Sequence, residues 1–325
     1  MKAIVQDSYG PPDVLQLRDV EIPTVGAGEA LVRVHAAGLD PGEWALMSGE
    51  PYMIRAMGFG LRRPKLRVRG TDVAGRVEAV GEGVTDLQPG DEVFGLCKGS
   101  FAEYSCDRAD KLMAKPANLD LKQAAALPSS GLTALQALRD YAELKPGQKL
   151  LVIGASGGVG TFAVQIGKAF GGEVAGVCSA TGIQLVRRIG ADHAIDYTRE
   201  DFADGRERYD AILDTGGNRS LSHLRRALAT DGTLVIIGGR GGRLVGGTDR
   251  NLRAIMLSPF VRQTLRAPFL DFLGGQRENL RSLKDFVEAD KVTPVIDSTY
   301  SLPEVPDAMG YLREGHPRGK VVITV

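Results

Sequence analysis

Residues 150–160 read LLVIGASGGVG, so an apolar run of strand length passes directly into a glycine-rich turn. The chain then continues as a predicted helix from Gly158 to Phe170. The free N–H groups and the positive dipole end of such a helix attract a pyrophosphate. The order strand, glycine turn, helix therefore predicts a dinucleotide-binding site rather than a plain structural turn.

The spacing of the glycines gives each of them a separate predicted role. Gly157 lets phosphates approach the backbone, and Gly160 lets the helix pack closely on the strand. Ala155 stands where the standard fingerprint has its first glycine. The residues of this turn that are predicted to bind the cofactor are Ser156, Gly157, Gly158, Val159 and Gly160.

The end of the second strand indicates which dinucleotide binds. An enzyme that prefers NAD carries an acid there, about 20 residues after the glycines, on the ribose 2′-hydroxyl. Residues 178–182 read CSATG and contain no acid that would repel a 2′-phosphate. Ser179 and Thr181 can donate hydrogen bonds to that phosphate, which favours NADPH over NADH. Arg187 and Arg188 are either further phosphate ligands or a solvated helix face.

Two styles of sequence divide the chain. Short strands separated by glycine and proline predict a barrel-like β domain at the start. These predicted strands cover residues 30–37, 73–80, 92–95 and 101–104. Strands that alternate with helices follow, which predicts a parallel, doubly wound sheet. Its predicted strands cover residues 149–153, 173–178, 194–196, 211–214 and 233–237.

Composition excludes several classes of protein. The 325 residues suggest two domains, and 40 basic and 40 acidic side chains cancel, so no global positive field gathers nucleic acid or an anionic membrane. Three cysteines without a Cys-x-x-Cys pair argue against a disulfide framework and a four-cysteine zinc site. With no signal-peptide pattern and no long apolar run, the sequence predicts a cytoplasmic protein without membrane or nucleic-acid partners.

Further motifs along essentially the whole chain resemble those of one family. They lie at residues 9–15, 69–75, 80–84, 89–93, 124–128, 131–134, 154–160, 190–192 and 319–320. Together they resemble the medium-chain dehydrogenase/reductase superfamily, in particular its zinc-independent quinone oxidoreductase branch, the zeta-crystallin-like proteins. The resemblance implies a GroES-like β-rich substrate domain and a Rossmann NADP-binding domain with a doubly wound parallel sheet. We expect the first at residues 1–122 and 290–325 and the second at 123–289.

The same resemblance implies an active site in the cleft between the domains, and a homodimer or higher oligomer. It also bears on metal binding, because zinc enzymes of this superfamily use a cysteine at the position of Asp40 and a His-Glu pair at Thr71-Asp72. Their four-cysteine lobe corresponds to residues 95–100, which contain only Cys97. The sequence therefore predicts that no zinc is bound.

The resemblance also implies several cofactor contacts. Asp40 replaces an asparagine that lies near the nicotinamide ribose. Three interpretations are open: the replacement is tolerated, the contact with the ribose is altered, or burial in the cleft raises the pKa of Asp40. Thr133 is expected near the nicotinamide, with a backbone-bonded hydroxyl at a helix start as the alternative. Tyr197 is expected beside the adenosine ribose-phosphate. Gly238 and Gly239 end a strand on the cofactor side, and Lys320 is either a phosphate ligand or an exposed lysine.

Tyr52 and two later stretches are open to more than one interpretation. The Tyr52 phenol is a candidate proton donor to the substrate carbonyl, or an aromatic wall of the pocket. The glycines and arginines of residues 238–247 indicate a mobile loop over the cleft rather than an RNA-binding tract. The apolar residues 254–273 are interpreted as a pocket lid, a dimer surface or a membrane-facing helix.

These observations predict an NADPH-dependent, zinc-independent oxidoreductase. We expect hydride transfer to a small-molecule quinone or α,β-unsaturated carbonyl, with Asp40 and Tyr52 as the candidate catalytic residues. An enoyl-thioester reductase is one alternative. A cofactor-binding protein without significant turnover, in a structural, regulatory or nucleic-acid-binding role, is the other.

Overall fold

The computed structural model describes residues 1–239, 246–268, 276–314 and 317–325. Two compact units divide the chain by their internal contacts. Unit 1 comprises Met1–Ser130, Gly275–Glu288 and Pro294–Val325. Unit 2 comprises Gly131–Gly274 and Ala289–Thr293.

Strands and helices follow one another along both units. The strands are β1 (Lys2–Gln6), β2 (Leu15–Asp19), β3 (Glu29–Leu39), β4 (Asp72–Val80), β5 (Glu92–Leu96), β6 (Tyr104–Arg108), β7 (Leu112–Ala114), β8 (Lys149–Ile153), β9 (Glu173–Cys178), β10 (His193–Asp196), β11 (Tyr209–Asp214), β12 (Leu228–Ile236), β13 (Thr264–Arg266), β14 (Ile296–Ser301) and β15 (Lys320–Thr324). The helices are α1 (Pro41–Ser48), α2 (Leu121–Ala125), α3 (Pro128–Gln136), α4 (Gly158–Ala169), α5 (Ile183–Arg188), α6 (Leu221–Ala227), α7 (Thr248–Leu257), α8 (Gln276–Glu288) and α9 (Val305–Glu314).

The main sheet of unit 1 is built around β3. Its described strands lie in the order β14-β15-β3-β4-β5-β7, and β6 also pairs with β3. The pairs are antiparallel, except that β14 runs parallel to β15. Alternating side chains such as Val32 and Val34 point into a core that also contains Val73 and Val93. The register Val321↔Leu39 places the start of β15 beside the end of β3.

Unit 2 contains a parallel sheet. Its described strands lie in the order β10-β9-β8-β11-β12-β13. β9 and β10 lie on one side of β8, and β11, β12 and β13 lie on the other. The sheet therefore has the topological switch point of a Rossmann fold at β8, the strand that the glycine turn follows. Apolar side chains of β8, β9, β11 and β12 share one core with α6 and α7. The carboxyl ends of the parallel strands meet at one edge, called here the carboxyl edge.

The fold class predicted from the sequence is confirmed. A β-rich unit with a mainly antiparallel sheet and a Rossmann-like unit with a parallel sheet are present. One predicted strand is wrong: residues 101–104 are not a strand, because Ala102 makes only an isolated bridge to Ala3 and the regular pairing begins at Tyr104. No helix in the described ranges is long and apolar enough to cross a membrane.

Helix α8 departs from the predicted division of the chain. We expected residues 123–289 to form one domain, but α8 groups with unit 1 by its contacts. It packs on β7, the Asn118 side chain donates to the Val287 carbonyl oxygen over 2.8 Å, and the Ala117 N–H donates to Glu288 over 3.0 Å. The assignment of the two units to substrate and cofactor binding stays a prediction.

Candidate functional site

The glycine turn of unit 2 has the geometry of a phosphate-binding turn. β8 ends at Ile153, Gly154 has a positive φ of 82°, and α4 begins at Gly158. The Gly157 N–H donates to the Gly154 carbonyl oxygen over 3.0 Å and closes the turn. Because the first N–H groups of a helix have no acceptor within the helix, the start of α4 presents donors at the carboxyl edge.

Gly157 and Gly160 differ in what surrounds their missing side chains. A Cβ on Gly160 would lie 2.0 Å from the Gly154 carbonyl oxygen, so only glycine lets α4 pack on the turn. A Cβ on Gly157 would meet that same oxygen at an ordinary 3.4 Å, and no other described atom within 4 Å. Packing within the protein therefore does not require glycine at position 157, and the open space there fits a bound phosphate.

The alanine at position 155 is accommodated by a glycine on the next strand. Ala155 is buried, and its methyl carbon lies 2.9 Å from where a Cβ on Gly176 would be. Gly176 of β9 lacks that atom, so the methyl group fits. The departure from the standard fingerprint at Ala155 therefore causes no clash in the turn.

Ser179, Thr181 and Tyr197 follow β9 and β10 at the carboxyl edge. The hydroxyl oxygens of Ser179 and Thr181 lie 3.1 Å apart. β10 pairs with β9 so that Asp196 lies opposite Cys178, and the Tyr197 N–H donates to the Cys178 carbonyl oxygen over 3.1 Å. The Asp196 carboxylate accepts hydrogen bonds from the N–H and hydroxyl of the following threonine at 3.0 and 2.8 Å. The structure thus brings together the residues predicted to bind the adenosine end.

Arg187 and Arg188 lie away from this edge. Both are exposed in the last turn of α5. Arg187 borders a cavity with Glu173 and His193, which begin β9 and β10 at the opposite edge of the sheet. This placement fits a solvated helix face and not a pair of phosphate ligands.

Arg219 is a candidate ligand that sequence reasoning missed. Its guanidinium carbon lies 5.5 Å from the centre of the Tyr197 ring and 6.0 Å from that of Phe202. With these residues and His223 it lines a cavity of about 280 Å³. Arg219 makes no ion pair with any residue that the structure describes, so its charge is available to an anion. The sequence feature that could have identified Arg219 is its position just after the Gly216-Gly217 turn, which follows β11.

The glycines that follow β12 pack against the turn after β11. Asp214 is fully buried and accepts the Gly217 N–H over 3.0 Å. A Cβ on Gly217 would lie 2.7 Å from the Gly239 nitrogen, and one on Gly238 would lie 2.2 Å from the Thr215 carbonyl oxygen. Gly238 and Gly239 are therefore at the carboxyl edge, and the close approach of the two turns requires the small size of Gly217 and Gly238.

The two later stretches are described only in part. Arg240 and Arg243, on which the RNA-binding alternative depends, lie outside the described residues. The stretch 254–273 begins with the last residues of α7. Two apolar side chains there are exposed, Ile255 at 51% and Met256 at 64%. The last part of that stretch, from residue 269, also lies outside the described residues.

A buried cluster in unit 1 contains Asp40, Asp72 and Lys320. The Lys320 ammonium donates a hydrogen bond to Asp40 and another, over 3.3 Å, to Asp72. The Ser130 hydroxyl donates to Asp40 over 2.7 Å, and the Ser129 N–H donates to Asp72 over 3.0 Å. Lys320 and Asp72 are each 1% exposed. The β15–β3 register produces this contact, because it places Lys320 next to the residue that follows β3.

The two carboxyl groups have opposite pKa shifts. Burial raises the pKa of Asp40, but the charge of Lys320 and the hydrogen bonds outweigh it, so that the pKa lies below its usual range. Burial and the charge of Asp40 together raise the pKa of Asp72 well above its usual range. Burial lowers the pKa of Lys320, and the two carboxyl groups more than compensate. The cluster therefore favours ionised Asp40 and charged Lys320 and disfavours the ionisation of Asp72.

These contacts correct two expectations. The interpretation of Lys320 as an exposed lysine is wrong, because β15 buries it against two carboxyl groups. The proposed rise in the pKa of Asp40 is also wrong in direction, because the ammonium beside it favours the charged form. It is Asp72 that has the raised pKa. The predicted contacts of Asp40 and Lys320 with the cofactor stay predictions, and an anion at Lys320 would have to displace a carboxyl group.

Other groups occupy the positions that hold zinc in the metal enzymes of the superfamily. Thr71 donates to Glu43 over 2.7 Å, and Glu43 also pairs with the buried Arg69 at 2.7 Å. Burial raises the pKa of the Cys97 thiol to about 12, which disfavours the thiolate that a metal needs. Among the described residues no group of three or more His, Cys, Asp or Glu side chains could hold a metal ion.

Tyr52 lies in a stacked arrangement of side chains in unit 1. The guanidinium carbon of Arg55 lies 4.7 Å from the centre of the Tyr52 ring and 4.5 Å from that of Tyr9. The Tyr52 side chain is 41% exposed, and its hydroxyl has no hydrogen-bond partner among the described residues. Its ring is therefore held in place while its hydroxyl stays open to another molecule.

Thr133 lies in the middle of α3, half-buried, and not at the start of a helix. The helix-start position in that alternative is therefore wrong. Its expected position near a nicotinamide stays a prediction.

Two family models match this chain. Residues 26–117 match the family model described as the alcohol dehydrogenase GroES-like domain. Residues 189–323 match a second model, described as a zinc-binding dehydrogenase.

Relatives match over the full length of the chain. An NADPH-dependent alkenal/one oxidoreductase of chloroplasts from Arabidopsis thaliana is 34% identical, over 99% of this chain and 79% of the relative. The quinone oxidoreductase of Coxiella burnetii has a TM-score of 0.85 and 31% identity, over 100% of this chain and 99% of that structure. A mycobacterial protein solved in complex with NADPH has a TM-score of 0.85 and 26% identity, over 100% of both chains. The chain therefore belongs to the medium-chain dehydrogenase/reductase superfamily and is an oxidoreductase of its quinone and enone reductase group.

Proposed function

We propose that this oxidoreductase uses NADPH, without zinc, to reduce a quinone or an α,β-unsaturated ketone or aldehyde. The observation that carries the proposal is the open space at Gly157, beside the first N–H groups of α4. No packing contact within the described protein requires glycine there, whereas a pyrophosphate against the helix start does. The names of the relatives support the acceptor class.

Hydroxyl and guanidinium groups favour NADPH over NADH. The Ser179 and Thr181 hydroxyls, 3.1 Å apart, can both donate to a 2′-phosphate. Arg219 adds a guanidinium beside Tyr197, and this guanidinium makes no ion pair with a described residue, although Glu200 and Asp201 line the same cavity. A phosphate bound among these groups would gain charge-assisted hydrogen bonds that a ribose hydroxyl cannot make.

The reaction needs little chemistry from the side chains. NADPH, when bound, supplies the hydride, and conjugation to a carbonyl makes the accepting carbon electrophilic. The protein binds and orients both molecules and excludes water. The exposed hydroxyl of Tyr52, with its ring fixed on Arg55, is our candidate for the proton donor, and water is the alternative.

Zinc independence is supported by the occupants of the corresponding positions. Asp40 is engaged by Lys320 and Ser130, and Thr71 is engaged by Glu43. None of these is a thiolate or an imidazole, the ligands that zinc prefers. We therefore place no Lewis acid in the reaction.

We further propose a homodimer in the cytoplasm. Among the described strands, β13 pairs only with β12, and the neighbouring α7 exposes Leu252, Ile255 and Met256. A free sheet edge beside apolar side chains is a surface that a second copy can cover. The cysteines Cys97, Cys106 and Cys178 are all free, which fits a reducing compartment.

The test is the loss of reduced nicotinamide absorbance with small quinones and enones, with NADPH and NADH side by side. We expect turnover with NADPH that does not change after dialysis against a zinc chelator, and a much lower kcat/KM with NADH. Failure to bind either nucleotide would refute the proposal. Equal use of both would refute the part assigned to Ser179, Thr181 and Arg219.

A further inference from the structure

One loop of unit 1 combines exposed apolar and cationic side chains. We call residues 59–67 the basic loop; they read FGLRRPKLR. Phe59, Leu61 and Leu66 are 40%, 72% and 45% exposed. Arg62, Arg63 and Lys65 are also exposed. Single exposed apolar residues are ordinary, but three of them interleaved with cations form an amphiphilic surface.

The base of the basic loop is fixed to the rest of unit 1. The Lys65 N–H donates to the Phe59 carbonyl oxygen over 2.9 Å and closes the loop. The Tyr9 hydroxyl donates to the carbonyl oxygens of Phe59 and Gly60 at 3.0 and 2.7 Å. A Cβ on Gly60 would lie 2.1 Å from the Arg63 carbonyl oxygen, so glycine allows the tight turn. Leu61, Arg62 and Arg63 therefore form a held, exposed tip.

The charge of this region is one-sided, although the charge of the whole chain is zero. Residues 51–71 contain six basic side chains and no acidic one. Arg69 is buried with Glu43, Arg67 pairs with Asp7 at 2.7 Å, and Arg55 stacks on tyrosine rings. The remaining three, Arg62, Arg63 and Lys65, make no ion pair with any described residue. A local positive field is thus present where the sum over the chain predicts none.

We propose that the basic loop docks this protein on a membrane surface that contains anionic lipid. Arg62, Arg63 and Lys65 meet the lipid phosphates, while Phe59, Leu61 and Leu66 enter the headgroup boundary. Nucleic acid fits less well, because its phosphate backbone offers nothing to two exposed leucines. This docking does not depend on the proposed reductase activity, and it replaces the expectation, drawn from net charge, that no membrane is a partner.

The experiment is co-sedimentation of the full chain with vesicles at low and at physiological salt. The vesicles are either phosphatidylcholine alone or phosphatidylcholine mixed with phosphatidylglycerol. One variant carries Arg62→Gln, Arg63→Gln and Lys65→Gln. A control variant with the same change in net charge carries Lys122→Gln, Arg206→Gln and Lys291→Gln, all exposed and outside the basic loop. A third variant, Leu61→Ser, tests the apolar part alone.

We expect the wild type and the control variant to bind the anionic vesicles at least tenfold more tightly than the neutral ones. The loop variant should lose about tenfold or more of this affinity, since each basic residue near such a surface contributes roughly fivefold. Leu61→Ser should lower the affinity for the anionic vesicles severalfold at both salt concentrations, because salt does not screen the apolar contribution of Leu61. Circular dichroism checks that the variants, all of them in exposed side chains, remain folded.

Several results would overturn the proposal. Equal binding to both kinds of vesicle, or equal losses in the loop and control variants, would show that the loop does not recognise the lipid surface. Displacement by low concentrations of inorganic phosphate would identify a free phosphate as the ligand. Binding of a short single-stranded RNA with the same dependence on the loop, without vesicle binding, would identify nucleic acid instead.

Discussion

The ammonium of Lys320 donates a hydrogen bond to the carboxylate of Asp40, although the two residues lie 280 positions apart in the chain. The contact joins the last strand of the chain to the residue that precedes α1. Asp72 completes the cluster from β4. Three elements of unit 1 are thus linked through one buried positive charge.

Removal of that charge is predicted to destabilise unit 1. In Lys320→Met the two carboxyl groups lose the only ammonium described beside them, and a buried charge without its partner costs about 3 kcal/mol or more. Urea unfolding measures the change. The control is Lys2→Met, which breaks the exposed Lys2–Asp19 pair and should change stability little. Similar midpoints for Lys320→Met and the wild type would contradict the account of the cluster.

The raised pKa of Asp72 predicts a particular dependence on pH. The folded protein retains a proton on Asp72 at pH values where the unfolded chain, with a pKa of about 3.9, releases it. The contribution of Asp72 to stability is therefore largest at low pH and falls as pH rises towards the folded pKa. Asp72→Asn lacks this titration.

Urea unfolding of the wild type and Asp72→Asn at a series of pH values checks the sign. The stability of the wild type relative to the variant should decrease as pH rises above about 4. A relative stability that increases over this range would mean that Asp72 is ionised in the folded protein. Asp40→Asn should reduce the decrease without removing it, because burial is the largest cause of the raised pKa and the charge of Asp40 is the next.

The difference between Gly157 and Gly160 predicts two different kinds of failure. Gly160→Ala places a methyl group 2.0 Å from the Gly154 carbonyl oxygen, so it should destabilise unit 2 by about 1–3 kcal/mol. Gly157→Ala has room and a negative φ of −84°, so its melting temperature should stay near that of the wild type. Its affinity for NADPH should nevertheless fall by about tenfold or more, because the methyl group occupies the space for the phosphate.

Differential scanning fluorimetry with and without NADPH separates the two failures. We expect Gly157→Ala to have the melting temperature of the wild type without NADPH. Addition of NADPH should raise that temperature much less than it does in the wild type. Undiminished NADPH binding by that variant would remove the observation on which the proposed function depends.

The end of β9 predicts a change in cofactor preference. Ser179→Asp puts a carboxylate where the 2′-phosphate is proposed to bind, and like charges a few Å apart near the surface repel by a few kcal/mol. KM for NADPH should rise by about tenfold or more, while KM for NADH should change little. Ser179→Asn, of the same size without the charge, is the control. Equal effects of the two substitutions on NADPH would contradict a role for charge at this position.

Local patterns in the sequence are sufficient to predict β8, the glycine turn and α4 of unit 2. The strand at residues 149–153, the glycines after it and the helix from Gly158 depend on contacts between near neighbours, and they agree with the structure. The same reasoning could not reveal the surroundings of Lys320. Its burial depends on the register of β15 against β3, a pairing of the two ends of the chain that no local pattern encodes.

Charge and contacts at a distance explain the other differences. Arg219 is recognised as a candidate ligand only when β10 and β11 are placed in the same sheet, which brings it to Tyr197. Helix α8 groups with unit 1 rather than with the predicted second domain, because an amphipathic pattern does not say which core a helix covers. The positive charge of the basic loop does not show in the net charge of the chain, because the net charge is a sum over the whole surface.

Isotope labelling follows the transferred hydrogen itself and so tests hydride transfer to the acceptor. The protein is incubated with a small enone and with NADPH in which deuterium replaces both hydrogens on the reactive carbon of the nicotinamide. The product is analysed by mass spectrometry and NMR. We expect one deuterium at the former β-carbon of the enone. The other new hydrogen should come from water or from an acidic group of the protein. Turnover that leaves the former β-carbon free of deuterium, or no turnover with any quinone or enone while NADPH remains bound, would contradict this account.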